Sequence, residues 1–372
     1  MSRVGIMSMQ RIANYGSFLQ AYGLKQLIED LGHNVEFVDY HVGAPVVKDD
    51  ADNGNKYVRK LEKGLETFRY KAPLSHKLGF IQYKQSFCKK YMPLLGVNTE
   101  MNYNPVLDCL VIGSDEVFNC IQKNSNVGYS LELFGKDNHA KRLMTYAASF
   151  GNTTLEKLDR YGKKDEIGSL LQNFDAISVR DTNSGNIVET LTGRTPAYHL
   201  DPVLMYDYIH CCDKIPELQV SEKYLILYAY SGRISDQEAD WIAAYAKKKK
   251  LKIYAIGGIQ KCADKFIDCS PFEVLAYFKN AEEVITDTFH GSIFSVITHR
   301  RFTTLVRKSV GNSYGNEEKL TDLLERLALT ERMTFDIQNV ERINRNEINY
   351  EVIDEILKQH REATLGYLKA NL

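Results

Sequence analysis

The sequence predicts an α/β protein with two Rossmann-like domains. The chain has 372 residues, which is too long for one ordinary hydrophobic core. Short apolar runs alternate with amphipathic helical patterns, and this alternation is typical of parallel sheets covered by helices on both faces. The alternation begins again near residue 222, so we expect two such sheets that face each other across a cleft.

The first domain is predicted over residues 1–210. It opens with a strand, a helix and a second strand in the stretches RVGIM, SFLQAYGLKQLIEDLG and NVEFVDY. The apolar residues of the helix recur at intervals of three and four, and Gly32 provides a C-terminal stop. Further strands are predicted in LDCLVIG, LMTYAASF and DAISVRD.

The second domain is predicted over residues 211–340. A polar segment with a proline, at about 205–222, separates it from the first domain. Its strands are predicted in YLILYAY, KIYAIGG, EVITD and FTTLV, and helical patterns lie between them. Residues 341–372 predict a last helix, which can pack on either domain.

Residues 41–104 interrupt the alternation and predict an insertion in the first domain. Ten lysines or arginines and several aromatic residues lie between residues 56 and 90, against only two acidic residues. Such a stretch can make a peripheral contact with a membrane surface or with an anionic acceptor. The alternative interpretation is a set of solvated helical faces with an aromatic underside.

The composition excludes several classes of protein. A formal net charge of -1 gives no global attraction for nucleic acid, so no nucleic-acid partner is predicted. No apolar run approaches the ~20 residues of a membrane span, and the N-terminal stretch lacks the pattern of a secretory signal. Seven cysteines without CxxC spacing indicate reduced thiols. We therefore expect a cytoplasmic protein, at most associated with the inner face of the membrane.

Ligands of open parallel sheets bind beyond the carboxyl ends of the strands, so the residues just after strands are the candidates for a site. In the first domain, Asn14, Tyr15 and Gly16 precede the first helix, where free N–H groups suit an anion or a sugar hydroxyl. Ser114 and Asp115 follow a later strand and suit substrate hydroxyls. For both groups the alternative is simple helix capping.

Arg180 leaves another predicted strand of the first domain. Its planar guanidinium can bind a carboxylate or a phosphate through paired hydrogen bonds. The alternative is a salt bridge to Asp181 or to another acidic residue.

In the second domain, the stretch TDTFHGSIF follows a strand and opens a helix. His290 is the candidate acid–base residue, because histidine is the commonest proton-transfer group at neutral pH. The polar residues around it are predicted to bind substrate, and they are Asp287, Thr288, Gly291 and Ser292. The loop after the next strand adds the cations Arg307 and Lys319 and has the composition of a loop that closes over a ligand.

No pattern in the sequence indicates a metal site. It contains no HExxH, no paired cysteines and no dense acidic cluster, so we predict no essential metal. It also lacks the GxGxxG pattern of a dinucleotide site.

Six motifs lie at these junctions in a fixed order: NYGSFLQAYGLKQLIEDLGHNVEFVDY, VIGSDEVFN, TYAASFG, ISVRD, HLDPVLM and DTFHGSIFSVI. Together, over about residues 1–335, they resemble the polysaccharide pyruvyl transferase family. The resemblance implies a GT-B-like glycosyltransferase architecture and phosphoenolpyruvate as donor substrate, with no separate cofactor. It implies as acceptor the sugar hydroxyls of a cell-surface polysaccharide or of its lipid-linked precursor, and a pyruvate ketal as product. His290 would transfer protons, and Arg180 would hold the donor anion.

The chain departs from the family at one position. Members often carry Arg-x-His-Gly where this chain reads Thr288-Phe289-His290-Gly291, and the family arginine is expected to bind phosphoenolpyruvate. Either Arg180, Arg307 or Lys319 replaces that charge, or the donor differs. The alternatives are a GT-B glycosyltransferase that uses a nucleotide sugar, and a non-catalytic glycan-binding relative.

Overall fold

A computed structural model describes residues 1–47, 66–308 and 315–372 of the chain. The described residues form two compact units. The first unit draws on Met1–Asp52, Cys88–Tyr206 and Glu355–Leu372, and the second on Asn53–Phe87 and Asp207–Asp354. Each unit contains one six-stranded parallel sheet with helices between its strands. These two sheets confirm the predicted fold class of an α/β protein with two Rossmann-like domains.

The strands are β1 (Arg3–Met7), β2 (Asn34–Phe37), β3 (Cys109–Asp115), β4 (Arg142–Ala148), β5 (Ser178–Val179), β6 (Ala197–Tyr198), β7 (Tyr224–Tyr228), β8 (Lys252–Ile256), β9 (Lys265–Phe266), β10 (Glu283–Thr286), β11 (Phe302–Leu305) and β12 (Met333–Thr334). The described α-helices are α1 (Tyr15–Glu29), α2 (Leu74–Tyr91), α3 (Leu155–Arg160), α4 (Lys164–Leu171), α5 (Thr182–Thr192), α6 (Pro202–Met205), α7 (Tyr208–Cys211), α8 (Asp236–Lys249), α9 (Pro271–Asn280), α10 (Phe289–Ile297), α11 (Glu317–Arg326), α12 (Val340–Arg345) and α13 (Tyr350–Asn371).

The sheet of the first unit has the order β2-β1-β3-β4-β5-β6. Its central strands β3 and β4 are buried almost throughout, which is why they read as continuous apolar runs rather than as alternating ones. The order reverses between β1 and β3, which are parallel neighbours with Met7 opposite Ile112. Ligands of doubly wound sheets bind at such a reversal, beyond the carboxyl ends of the two strands.

The sheet of the second unit has the order β12-β11-β10-β7-β8-β9. Here the order reverses between β7 and β10, where Tyr228 lies opposite Thr286. Strand β10 therefore lies between β11 and β7. The side chains that follow these three strands share one edge of the sheet.

Capping side chains and glycines fix several helix ends. Helices α8 and α9 each begin with a capping box, in which Ser235 pairs with Glu238 and Ser270 pairs with Glu273. After α1, Gly32 adopts a left-handed φ of 88°, as its predicted role as a stop requires.

The last helix, α13, is divided between the two units. Near its start, the Tyr350 hydroxyl donates to the Arg300 carbonyl in the second unit at 2.6 Å. Farther along, the Tyr367 hydroxyl donates to the Thr145 carbonyl in the first unit at 2.9 Å. The sequence had left open which domain this helix packs on. Its start belongs to the second unit and the rest of it to the first.

The predicted insertion needs a correction. Its residues 48–65 lie outside the described residues. Its described residues 66–87 belong to the second unit, whereas 41–47 and 88–104 belong to the first, as predicted. On α2, Phe80 and Tyr83 contact Phe266 of β9, with ring centroids 5.7 and 6.3 Å apart. The described part thus has the aromatic underside of the second interpretation. None of the described helices is long and apolar enough to span a membrane.

Candidate active site

At the start of α1, the predicted ligand residues serve mainly to build the helix end. The Asn14 side chain accepts hydrogen bonds from the Gly16 and Ser17 backbone N–H groups, at 2.7 and 3.4 Å. Tyr15 is buried, with 1% of its surface exposed. Helix capping is therefore the observed role of Asn14, and Tyr15 belongs to the core.

Ser114 is a structural residue of the sheet. Its side chain is fully buried and donates to the Ala147 carbonyl at 3.1 Å. The Ser114 carbonyl accepts a hydrogen bond from the Ser8 hydroxyl. The predicted contact with substrate hydroxyls is therefore not supported for Ser114, because its hydroxyl is enclosed by neighbouring strands.

Asp115 ends β3 at the reversal of the first sheet. Its backbone has a φ of 75°, in the left-handed region that costs free energy for a residue other than glycine. The carboxylate accepts hydrogen bonds from the Ser17 hydroxyl, at 3.1 Å, and from the Glu116 N–H, at 3.0 Å. Asp115 retains 16% exposure of its side chain, so it is the candidate of the first unit that a substrate can reach.

Arg180 lies among carboxylates. Its guanidinium contacts Asp201 at 3.0 Å and Asp115 at 3.6 Å. Burial opposes the charge of Arg180, but Asp115, Asp201, Asp181 and Glu116 raise its pKa above the ordinary arginine value. Only 5% of the side chain is exposed. The structure therefore shows the salt-bridge alternative, with Asp201 as the nearest acidic partner. The role of Arg180 as the clamp of the donor anion stays a prediction.

In the second unit, Asp287 follows β10 directly at the reversal of the sheet, and its side chain is fully buried. Burial raises the pKa of Asp287 to about 6, against the opposing effects of Arg233, Arg307 and the Tyr230 backbone N–H. The site therefore contains a carboxyl group that changes its charge near neutral pH.

Two arginines flank this carboxyl group. Arg233, which follows β7, lies 3.9 Å from the Asp287 carboxylate and over the Tyr230 ring. Arg307, which follows β11, donates to the Glu238 carboxylate at 2.6 Å. Arg307 was predicted from the sequence, whereas Arg233 was missed although it too follows a predicted strand.

Asn316 fixes the backbone around these charges. Its side-chain amide donates to the Asp287 backbone carbonyl at 2.5 Å, and its side-chain oxygen accepts from the Arg307 backbone N–H at 2.6 Å. Lys319 lies in the first turn of α11, which begins directly after Asn316. Residues 309–314 of the predicted closing loop lie outside the described residues.

The start of α10 is organised by Thr288. Its side chain caps the helix by accepting a hydrogen bond from the Gly291 N–H at 2.9 Å. A Cβ atom at Gly291 would come within 2.1 Å of the Thr286 hydroxyl, so close packing requires glycine there. Ser292 is fully buried and lies 2.8 Å from the Thr304 hydroxyl. Thr288 and Ser292 therefore have structural roles, and substrate binding by their side chains is not supported.

His290 occupies the second position of α10. It is half-buried, and its ring packs against Phe289 and Phe294, with centroids 5.4 and 6.1 Å away. This position follows from the local sequence: β10 ends at Thr286, and the cap at Thr288 starts α10 at Phe289. A half-buried imidazole beyond the carboxyl end of β10 can exchange protons with a bound ligand.

No group of three or more His, Cys, Asp or Glu side chains that could hold a metal ion occurs in the described part of the chain. The absence of an essential metal stays a prediction.

Both units are doubly wound α/β domains whose polar residues lie beyond the carboxyl ends of parallel strands, which is the arrangement of ligand-binding α/β proteins. A family model described as polysaccharide pyruvyl transferase matches residues 14–309. The chain therefore belongs to the polysaccharide pyruvyl transferase family, as the resemblance of its motifs predicted. Membership supports pyruvyl transfer to a polysaccharide in general terms.

Several solved structures are similar to the whole chain at a low level. S. aureus MnaA in a co-structure with UDP has 11% identity and a TM-score of 0.48, with 97% of this chain and 90% of that chain covered. A putative UDP-N-acetylglucosamine 2-epimerase from Listeria monocytogenes has 8% identity and a TM-score of 0.49, with 95% and 90% covered. The two parallel sheets, rather than these similarities, define the fold of the chain. No curated protein matches the sequence at a significant level.

Proposed function

We propose that the chain transfers the pyruvyl group of phosphoenolpyruvate to two hydroxyls of a sugar unit, in a cell-surface polysaccharide or its lipid-linked precursor. The observation that carries the proposal is the position of His290, a half-buried titratable side chain at the start of α10, where the second sheet reverses its order. The family of the chain supports the transferred group.

The reaction requires proton transfer at two points. The methylene carbon of phosphoenolpyruvate gains a proton and becomes a methyl group, and the adjacent carbon becomes open to attack by a sugar hydroxyl. The C–O bond to phosphate breaks, and a second hydroxyl closes the ketal. Of the two hydroxyl protons, one is balanced by the new methyl hydrogen and the other leaves with inorganic phosphate. We assign proton transfer to His290, as general acid or as general base.

The other parts of the proposal follow from the donor. Phosphoenolpyruvate carries a phosphate and a carboxylate, so its site needs cationic donors. Arg233 and Arg307 are the arginines close to Asp287 in the second unit. No separate cofactor is part of the proposal, and we place the reaction in the cytoplasm, where the sequence predicts the protein to be.

The test is release of inorganic phosphate from phosphoenolpyruvate in the presence of a panel of saccharide acceptors, with the ketal methyl group followed by NMR. His290→Ala should lose turnover. His299→Ala is the matched control, because His299 lies on the surface of the same unit and pairs with Asp354 at 3.0 Å. Binding of a nucleotide sugar, together with no binding of phosphoenolpyruvate, would favour the glycosyltransferase alternative and reject the proposal.

A further inference from the structure

The side chain of Thr288 brings no positive charge to the start of α10. Its hydroxyl oxygen is occupied by the Gly291 N–H and lies 3.1 Å from the Thr286 hydroxyl. The residue is also buried, with 4% of its surface exposed. A trianionic or dianionic donor must therefore find its cationic partners on other side chains of the site.

Three adjacent strands carry charged residues at the same edge of the second sheet. Arg307 follows β11, Asp287 follows β10 and Arg233 follows β7, and β10 is the middle strand of the three. Both arginines therefore follow strands that are direct neighbours of β10. The Arg233 and Arg307 side chains are 35% and 25% exposed, and the exposed part of Arg307 excludes its Nε and Nη2 atoms.

Arg307 has unused hydrogen-bonding capacity. One nitrogen, Nη1, is bonded to Glu238. Its Nε and Nη2 atoms are buried and have no hydrogen-bond partner in residues 1–47, 66–308 and 315–372. Buried donors without acceptors cost free energy, which a bound oxyanion would recover.

Arg233 is held close to the site without being neutralised by a direct hydrogen bond to Asp287. The distance of 3.9 Å between its Nη1 atom and the Asp287 carboxylate is too long for a hydrogen bond. Its guanidinium lies 4.8 Å from the centroid of the Tyr230 ring, and this contact orients the plane of the group.

We propose that Arg233 and Arg307 form the donor-anion subsite of this chain and together supply the positive charge that Thr288 does not. This inference rests on the proposed function, since it names the residues that bind the oxyanion groups of phosphoenolpyruvate. Asp287 and Glu238 are positioning residues, which hold the two guanidinium groups in place. Arginine suits this task because its planar fork matches a carboxylate or a phosphate.

The first test is Arg233→Gln, in an otherwise unchanged full chain. Loss of a charge-assisted contact should raise KM for phosphoenolpyruvate about 10- to 100-fold, with kcat changed less than about threefold. Arg233→Lys should recover part of the affinity, because it restores the charge but not the fork. Lys248→Gln is the control, since Lys248 is exposed and pairs with Glu341, and its KM should stay within about twofold of that of the wild type.

The test of Arg307 requires a second substitution at Glu238, because Arg307→Gln alone removes the guanidinium that pairs with the Glu238 carboxylate. The double variant Arg307→Gln with Glu238→Gln removes both charges, and we expect the same rise in KM as for Arg233→Gln. Unchanged thermal midpoints show that the variants are folded. The inference is overturned if both variants are folded and bind phosphoenolpyruvate as the wild type does.

Titration with inorganic phosphate separates this inference from the proposed function. If the wild type binds phosphate and Arg233→Gln does not, the anion subsite stands even where phosphoenolpyruvate is not turned over. If phosphate binds equally well to both proteins, or to neither, the subsite is wrong.

Discussion

The buried carboxyl group of Asp287 makes the stability of the chain depend on pH in a way that Asp287→Asn removes. The folded chain favours the protonated form, because burial raises the pKa of Asp287 from its ordinary value of 3.8 to about 6. The contribution of protonated Asp287 to the free energy of unfolding is therefore fully present below about pH 4 and is lost as the pH rises through 6. Asparagine has nearly the same shape and never ionises.

The size of the effect follows from the rise in pKa. Each tenfold change in an ionisation constant corresponds to about 1.4 kcal/mol, so ionised Asp287 lowers the free energy of unfolding by ~3 kcal/mol at pH 8. At pH 4 the loss is only about 0.5 kcal/mol, because this pH lies close to the ordinary pKa of 3.8 that the group has in the unfolded chain. We therefore expect Asp287→Asn to be more stable than the wild type at pH 8 and nearly equal to it at pH 4.

Differential scanning calorimetry at several pH values measures this difference. For domains of 150 to 250 residues, 1 kcal/mol moves Tm by about 2 to 4 °C, so the gap at pH 8 should be roughly 6 to 12 °C. Asp240→Asn, on the exposed face of α8, should show no such gap. A gap that does not change with pH, or a less stable Asp287→Asn at pH 8, would refute the reasoning.

Three further predictions concern the other candidate residues. His290→Ala should lower kcat by about 10²- to 10⁴-fold while phosphoenolpyruvate binding stays within about threefold, as titration calorimetry can measure. Arg180→Ala leaves Asp201 buried without its partner and should lower the free energy of unfolding by about 3 to 5 kcal/mol in urea titrations; an unchanged midpoint would contradict the structural role. The predicted membrane contact of residues 56–90 includes the exposed Leu74 and Leu78, so replacing both by serine should reduce co-sedimentation with anionic vesicles, and equal binding of both proteins would reject it.

Most of the fold was predictable because long elements carry their period in the sequence. The strands β1, β2, β3, β4, β5, β7, β8, β10 and β11 lie in predicted strand stretches. The edge strands β6, β9 and β12 have two residues each and were missed, since a pair of residues shows no periodicity. The unit to which residues 74–87 of α2 belong could not be predicted either, because the contacts of Phe80 and Tyr83 with Phe266 join residues far apart in the sequence.

The candidate site was predicted in position but not in detail. The rule that ligands bind beyond strand ends led to Asp115, Asp287, His290 and Arg307. It could not separate these from Ser114, whose hydroxyl is enclosed by neighbouring strands.

The partners of charged residues were also beyond the sequence. Arg180 pairs with Asp201, which lies 21 residues away, and Arg307 pairs with Glu238, which lies 69 residues away. The order of the strands in the sheet brings such pairs together, so residue spacing along the chain does not predict them.

The most direct test of the central claim is incubation of the chain with ¹³C-labelled phosphoenolpyruvate and a panel of glycans and lipid-linked saccharides. We expect a ketal methyl signal with one of the acceptors, one inorganic phosphate released for each ketal formed, and neither product with His290→Ala. Consumption of a nucleotide sugar by the same chain, without binding of phosphoenolpyruvate, would contradict pyruvyl transfer.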